Sequence, residues 1–388
     1  SIPLRRLADG RWQIESALTA DRIEPGPFPG WLLVRADAAG ERAQMGHDDY
    51  ANRNRAFSQP NRGRWVAAVT EVDAPAEGAG PVRLRLNVLG NAPFEPGAEM
   101  VLHRRFTDYT SDRIDKCLAA LDEKPDSDPL ALLRDPVGFA RPVPSTEPIQ
   151  TALEAQARRP GLTESQDRAF RQLCDRRLTL VWGPPGTGKT HFLAQATLRL
   201  IAAHARADRS LRIGIAAFTH AAIENLLLKI AEERPAVGLG RVALYKLKEV
   251  RTQRGLDFGL EAVEETAVAG RLGAEPGIVG GTVYGFRKAR DDGGLPPVDM
   301  LIVDEASQMK FGELALVLPS LAPNGRLVLA GDDLQLPPII QGSYPAREDG
   351  KPGLHDSIFA YLRARDDAAR PYTWPLLENW RANDTLCR

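Results

Sequence analysis

The stretch Gly183-Pro184-Pro185-Gly186-Thr187-Gly188-Lys189-Thr190 constrains this chain more than any other part of it. It satisfies G-x-x-x-x-G-K-[ST], whose four fixed positions occur by chance in a chain of this length roughly once in a hundred sequences. The surroundings narrow the reading further. Leu178–Trp182 is an apolar run without alternation, the mark of a strand buried on both faces, and residues 189–203 read as a helix. Strand, glycine loop and helix in that order form a cradle for phosphate. The glycines let backbone N–H groups curl round an anion, and the helix N-terminus adds positive partial charge. In such a cradle Lys189 reaches the β- and γ-phosphates and the Thr190 hydroxyl ligates Mg²⁺. A glycine-rich turn without nucleotide is the bland rival, and the flanking strand and helix argue against it.

From Thr163 onward apolar runs alternate with helical segments. Residues 213–218, 278–283, 300–303 and 327–330 share the character of Leu178–Trp182, and a helix is expected over 221–232. This alternation predicts an α/β doubly wound parallel sheet. Leu301-Ile302-Val303-Asp304-Glu305 is an apolar strand ending in two carboxylates. A buried strand would deliver Asp304 to the carboxyl edge of the sheet, beside the glycine loop. There Asp304 can hold Mg²⁺ through water, and Glu305 can orient and deprotonate an attacking water. A strand ending in acids is often only a solvated turn. Its spacing after the glycine loop favours the catalytic reading.

The first 108 residues follow a different period. Residues 12–16, Trp31–Arg35, 65–72, 82–89 and 100–106 read as short strands separated by turn residues, which suggests a small β-barrel. Val82, Leu84, Leu86 and Val88 alternate with Arg83, Arg85 and Asn87, so one face is apolar and the other cationic; a solvated strand face accounts for those arginines as simply as a binding surface. A helix follows, capped by Ser111, with Ile114, Cys117, Leu118 and Leu121 at helical spacing. A second short helix is expected near Ser127. Pro136, Pro142, Pro144 and Pro148 then mark a linker.

Composition limits the partners. Lys plus Arg is 50 against 51 for Asp plus Glu, a net charge of −1, so a nucleic-acid surface has to be a local patch. At 43% hydrophobic and 26% charged, the 388 residues suit two or three globular domains of about 150 residues each. Cys117, Cys174 and Cys387 are odd in number and far apart, which indicates neither a disulfide framework nor a thiolate zinc site, and a reducing cytoplasm is the simple expectation. No apolar run approaches the about 20 residues that span a bilayer, and no signal-peptide pattern is present. Beginning with Ser1, the chain reads as trimmed at its ends.

The motifs together resemble superfamily 1 helicases, in the branch of the nonsense-mediated-decay helicase and senataxin. Leu162-Thr163-Glu164-Ser165-Gln166 is similar to that family's adenine-reading motif, and Gly183 to Thr190 to its phosphate loop. Ala217-Phe218-Thr219-His220-Ala221-Ala222 and Gly281-Thr282-Val283 resemble its first two nucleic-acid motifs, the former departing from the usual Ser-Asn pair. Asp304-Glu305-Ala306-Ser307-Gln308 resembles the acidic motif, and Gly331-Asp332-Asp333-Leu334-Gln335-Leu336-Pro337-Pro338 the third motif. Asn379-Trp380-Arg381 is similar to the fourth, where an Arg meets the γ-phosphate.

The resemblance implies a RecA-like P-loop NTPase domain over 149–388, a β-barrel-like accessory domain over 1–108 and a helical stalk and linker over 109–148. It implies ATP and Mg²⁺, single-stranded DNA or RNA as partner, and a monomer. Lys189, Glu305, Gln335 and Arg381 become catalytic candidates. Gln166, Gly183, Pro184, Pro185, Gly186, Thr187, Gly188, Lys189 and Thr190 would hold the nucleotide, Thr190 and Asp304 the metal, and Thr219, His220 and Thr282 the nucleic acid. Each role has a plainer rival. Gln166 can match adenine with one donor and one acceptor, yet Thr163-x-x-Gln166 is also a capping box. Gln335 can sense the γ-phosphate or be a polar turn residue. Thr219 and Thr282 can donate to phosphates or cap the helices that follow. Arg381 can be an ordinary surface residue. His47, His103, His191, His204 and His355 lack ligand spacing, so no metal beyond Mg²⁺ is expected.

In the family, ATP closes between two RecA-like domains, and the expectation is that the second is absent from this chain, leaving ATP binding with weak hydrolysis. The leading reading is a translocating, duplex-separating ATPase. A clamp that binds nucleic acid under ATP control without travelling is the alternative, and an unrelated phosphate-loop kinase or transporter ATPase is the third. Neither DNA against RNA nor the direction of travel is legible.

Overall fold

Strict alternation builds the first unit, Ser1–Asp112. In the computed structural model its strands are β1 (Ile2–Arg6), β2 (Trp12–Ile14), β3 (Trp31–Arg35), β4 (Arg64–Asp73), β5 (Val82–Val88) and β6 (Glu99–Arg104). They close into an antiparallel barrel in the order β1-β2-β5-β4-β3-β6. Along β5, Val82 and Leu84 are buried while Arg83 and Arg85 face outward. Arg85 pairs with Glu71 of β4 at 2.9 Å, so part of that cationic face is neutralised within the barrel. Inside, Trp12 and Trp65 meet Phe94 edge to face, with centroids 5.3 and 4.8 Å apart. β1 is not legible in the sequence, because Pro3 lies within it and a proline weakens a strand signal. Pro3 points outward and pairs in register with Val101. The described residues are 2–14, 23, 25, 31–35, 63–73, 81–88, 94–104, 111–124, 126–274, 277–338, 353 and 355–380. The expected strand ends at 15–16, 89 and 105–106 lie outside them.

The second unit is Arg113–Arg388. Its strands are β7 (Leu178–Trp182), β8 (Ile213–Ala217), β9 (Ala243–Leu247), β10 (Glu261–Val263), β11 (Gly277–Thr282), β12 (Val298–Val303), β13 (Leu321–Gly331) and β14 (Thr373–Pro375). They form one parallel sheet in the order β10-β9-β11-β8-β12-β13-β7-β14. This is a RecA-like α/β fold, following a small barrel in the sequence.

The unbroken apolar runs have a simple cause. Side chains alternate between faces, and here both faces are covered. Met300 and Ile302 pack on one side with Val328 and Ala330, against the helices Lys189–Arg206 and His220–Glu233. Leu301 and Val303 pack on the other with Leu327 and Leu329, against Val283–Asp291, Phe311–Val317 and Ile358–Arg363. Each fully buried Leu, Ile or Val contributes about 1.5–3 kcal/mol.

In this sheet β9, β10 and β14 carry little sequence signal, being short and containing charge or proline. β9 contains the fully buried Lys246, and β10 and β14 have only three residues each.

The proline-rich stretch is not a slack linker. Pro136 opens the helix Pro136–Phe139 and Pro148 lies in the first turn of Glu147–Ala157, positions where the missing N–H is no loss. Phe139 is buried, with the Arg177 guanidinium 4.2 Å from its ring centroid. The helix Ser111–Asp122 begins at Ser111 itself rather than after it. Among the described residues no helix is long and apolar enough to cross a membrane.

Candidate nucleotide and nucleic-acid site

Three neighbouring strands, β7, β13 and β12, end side by side on the carboxyl edge of the sheet. Residues 183–190, 332–335 and 304–305 follow them directly, so the order of strands alone gathers the three motifs. The Gly183 amide donates to the Gly331 carbonyl at 3.2 Å and ties the first two together.

Gly186 and Gly188 have φ of 92° and 79°, the left-handed region that glycine enters without penalty. A Cβ on Gly183 would strike the Thr187 hydroxyl, which donates to the Pro184 carbonyl at 2.9 Å. Thr187 is buried and Pro185 exposed. The helix Lys189–Arg206 starts straight after Gly188, so its first amides lie at the loop. The Lys189 ammonium donates to the Gly183 carbonyl and, at 3.1 Å, to that of Pro184. Thr190 sits in the same first helical turn.

Asp304 is 8% exposed, and its Oδ1 accepts the Glu305 amide at 2.9 Å. Burial pushes its carboxyl up to about 6; the Glu305 amide and the Lys189 charge oppose that shift, while the Glu305 charge adds to it. β12 and β7 flank β13, so the acidic strand end and the phosphate loop leave the same edge of the sheet. Glu305 has φ 55°, unusual for a residue other than glycine, and its Oε2 accepts from the Thr219 hydroxyl at 3.5 Å. Gln335 is held by Asp332: its Nε2 donates to Asp332 Oδ2 at 3.1 Å, and its amide to the Asp332 carbonyl at 3.1 Å. Asp333 accepts from Trp182 Nε1 at 2.8 Å and pairs with Arg363, whose guanidinium lies 4.4 Å from the Trp182 ring centroid.

The capping box at Gln166 is present. Thr163 Oγ accepts the Gln166 amide at 3.4 Å, and Gln166 Oε1 accepts the Thr163 amide at 3.3 Å. Among the described residues Gln166 Nε2 is buried without a partner, and it lies 3.2 Å from where a Cβ on Gly188 would be. An orphaned donor beside the phosphate loop is what a base-reading amide requires.

Two residues here escaped the sequence reading. The Trp380 amide donates to the Gly186 carbonyl at 2.8 Å, its indole lies beside Gly188, and the side chain is 69% exposed. Glu378 binds the Ser165 hydroxyl and accepts the Ser165 amide at 3.3 Å, which moors the segment before Trp380 to the helix Glu164–Asp175. Their signal lies in the same stretch, Glu378-Asn379-Trp380-Arg381, that supplies the arginine. Arg381 lies outside the described residues.

The three nucleic-acid candidates lie on the same edge, at the ends of β8 and β11. Both threonines are helix caps. Thr219 Oγ accepts the Ala222 amide at 3.2 Å, and Thr282 Oγ accepts the Gly285 amide at 3.1 Å. His220 Nδ1 lies 3.4 Å from the buried Lys246 ammonium, and burial followed by the Lys246 charge lowers its pKa. Lys246 pairs with Glu224 at 3.2 Å, and Glu224 also accepts the Arg251 amide at 2.7 Å and the Thr252 hydroxyl at 3.0 Å. Phe218, half exposed between β8 and Thr219, is an aromatic surface that the sequence reading passed over.

Residues 166–341 match the family model described as an AAA domain. The chain is 28% identical over 225 residues to the DNA replication ATP-dependent helicase/nuclease DNA2 of Gallus gallus, across 54% of this chain and 20% of that protein. It is 29% identical over 204 residues to the RecBCD enzyme subunit RecD of Mycobacterium tuberculosis, across 52% of this chain and 31% of the relative. These matches support a superfamily 1 helicase family. The matched part is thus about a fifth of DNA2 and about a third of RecD in length. A solved helicase, Arterivirus nonstructural protein 10 with DNA, covers 82% of this chain and 49% of its own at 15% identity and a TM-score of 0.31, a likeness too slight to build on.

Proposed function

We propose that the chain carries the ATP-hydrolysing module of a nucleic-acid-dependent helicase, in the branch of the nonsense-mediated-decay helicase and senataxin. One observation carries the reading: the amide cradle at 183–190 and the carboxylates Asp304 and Glu305 share an edge of the sheet. Backbone amides and Lys189 bind the β- and γ-phosphates. A hydroxyl and a buried carboxylate, Thr190 and Asp304, are oxygen donors that fit Mg²⁺, which when bound neutralises charge on the phosphate oxygens. Glu305 accepts a proton from water as the water oxygen attacks the γ-phosphorus, and the bond to the β,γ-bridging oxygen breaks. Gln335 senses the γ-phosphate, and Arg381 adds charge there. Gln166 Nε2 reads the adenine, and the exposed Trp380 indole offers a face on which it stacks.

The ends of β8 and β11 hold a single strand of DNA or RNA, with phosphates against Thr219, His220 and Thr282 and a base against Phe218. A second RecA-like domain closes over the nucleotide and completes the motor.

The test is the ATPase rate with single-stranded DNA, with RNA and with neither. Stimulation by a strand is expected. Glu305→Gln should keep ATP affinity while turnover falls about 10²–10⁴-fold. A rate indifferent to nucleic acid would return the chain to the kinase or transporter reading. A stimulated ATPase that fails to open a tailed duplex would make it a clamp.

A further inference from the structure

We infer that Thr219 is a positioning residue: its hydroxyl restrains Glu305 until a nucleic-acid phosphate takes over that hydroxyl, and this exchange couples strand binding to ATP hydrolysis. The inference rests on the proposed function and adds how its two sites communicate.

The geometry begins with the sheet. β8 pairs directly with β12, so the residues that follow the two strands, Thr219 and Glu305, are neighbours although 86 positions apart. A hydroxyl has one proton and two lone pairs. Thr219 uses a lone pair to accept the Ala222 amide at 3.2 Å and gives its proton to Glu305 Oε2 at 3.5 Å. An ionised carboxylate and a phosphate oxygen are both acceptors, so they compete for that single proton.

Glu305 itself has little backbone freedom. Its left-handed φ of 55° is held by the bond from its amide to Asp304 Oδ1 at 2.9 Å. A change at Glu305 is therefore a change of its side chain. Among the described residues Thr219 is the side chain hydrogen-bonded to the Glu305 carboxylate. That bond is long and exposed, which suits a restraint meant to be displaced. A polyanion has reason to arrive there: Thr219 opens the helix His220–Glu233, whose first amides carry positive partial charge. A phosphate that captures the Thr219 proton frees the Glu305 carboxylate to turn towards a water at the γ-phosphate. By reciprocity, a restrained Glu305 weakens strand binding by the same factor.

A double-mutant cycle on oligonucleotide affinity tests this without requiring turnover. The probe is a fluorescein-labelled oligothymidylate read by anisotropy, with the wild type, Thr219→Val, Glu305→Ala and the double variant. Glu305→Ala removes the competitor and should tighten binding about fivefold when Thr219 is present, and clearly less in the Thr219→Val background. Equal tightening in both backgrounds would mean that only the lost charge matters, and would overturn the inference. Thr219→Ser should restore the coupling. Should the valine variant lose its helix cap and unfold, Thr219→Asp caps the helix, has no proton to give, and should abolish the coupling as well. In turnover, Thr219→Val should raise the rate without nucleic acid about fivefold and shrink the stimulation by the same factor, whereas a merely structural defect lowers both rates. A wild type that does not bind the probe would sink the proposed function itself; binding without coupling would sink only the link.

Discussion

At the ends of β7 and β12 the groups proposed to meet the nucleotide are backbone amides, an ammonium and a buried carboxylate, whereas those proposed to meet a strand at the ends of β8 and β11 are hydroxyls already bonded to helix starts. The first stretch is shaped by main-chain conformation. Gly186 and Gly188 hold left-handed φ, and Asp304 stays buried although burial penalises its ionised form. In the second, Thr219 and Thr282 each keep a helix in place. A site made of backbone is committed to one ligand shape. A site made of capping side chains can serve the fold and a ligand in turn, which is what a coupling device requires.

The largest effect should come from breaking the backbone half. Gly188→Val places a branched side chain at φ 79° and 3.2 Å from Gln166 Nε2, beside the Trp380 indole. Left-handed strain of about 1–2 kcal/mol plus the clash should weaken binding of a fluorescent ATP analogue at least about tenfold. Unchanged affinity would remove the backbone as the source of binding.

Asp304→Asn should come next. Burial raises this carboxyl from the ordinary 3.8 to about 6. A raised acid stabilises the fold below its ordinary pKa and loses that contribution as pH rises through about 6. The amide variant should therefore be more stable than the wild type by about 1–3 kcal/mol at pH 8, and by little below pH 4, in chemical denaturation. Its Mg²⁺-dependent ATP binding should weaken about fivefold, and the wild type's should fall as pH drops below about 6. A variant less stable at pH 8 would show that the carboxylate is paid for by contacts beyond those described.

The smallest effect should fall on the capping half. Thr282→Val removes a helix cap and should lower stability by about 1 kcal/mol in thermal melting. It should also weaken oligonucleotide binding about threefold, a loss of well under 1 kcal/mol. Lost stability with unchanged binding would leave Thr282 as a cap alone, and would confine the dual role to Thr219.

The sequence by itself determined what depends on consecutive residues. The glycine pattern of 183–190, the apolar runs of the central strands and the acidic end of β12 are local, because left-handed turns and two-sided burial impose composition directly. Strands at the two ends of the sheet, the edge strands and β9 beside one of them, were harder to read. β9 hides Lys246 by pairing it with Glu224, and β14 is three residues ending in proline, so neither shows the usual signal.

Only the tertiary structure decided what distant residues share. It set Trp380 beside the phosphate loop, left Gln166 Nε2 without a partner there, and brought the Thr219 hydroxyl to Glu305. Those contacts follow from the order in which strands lie in the sheet. That order depends on how helices cover its two faces, and no short stretch of sequence encodes it.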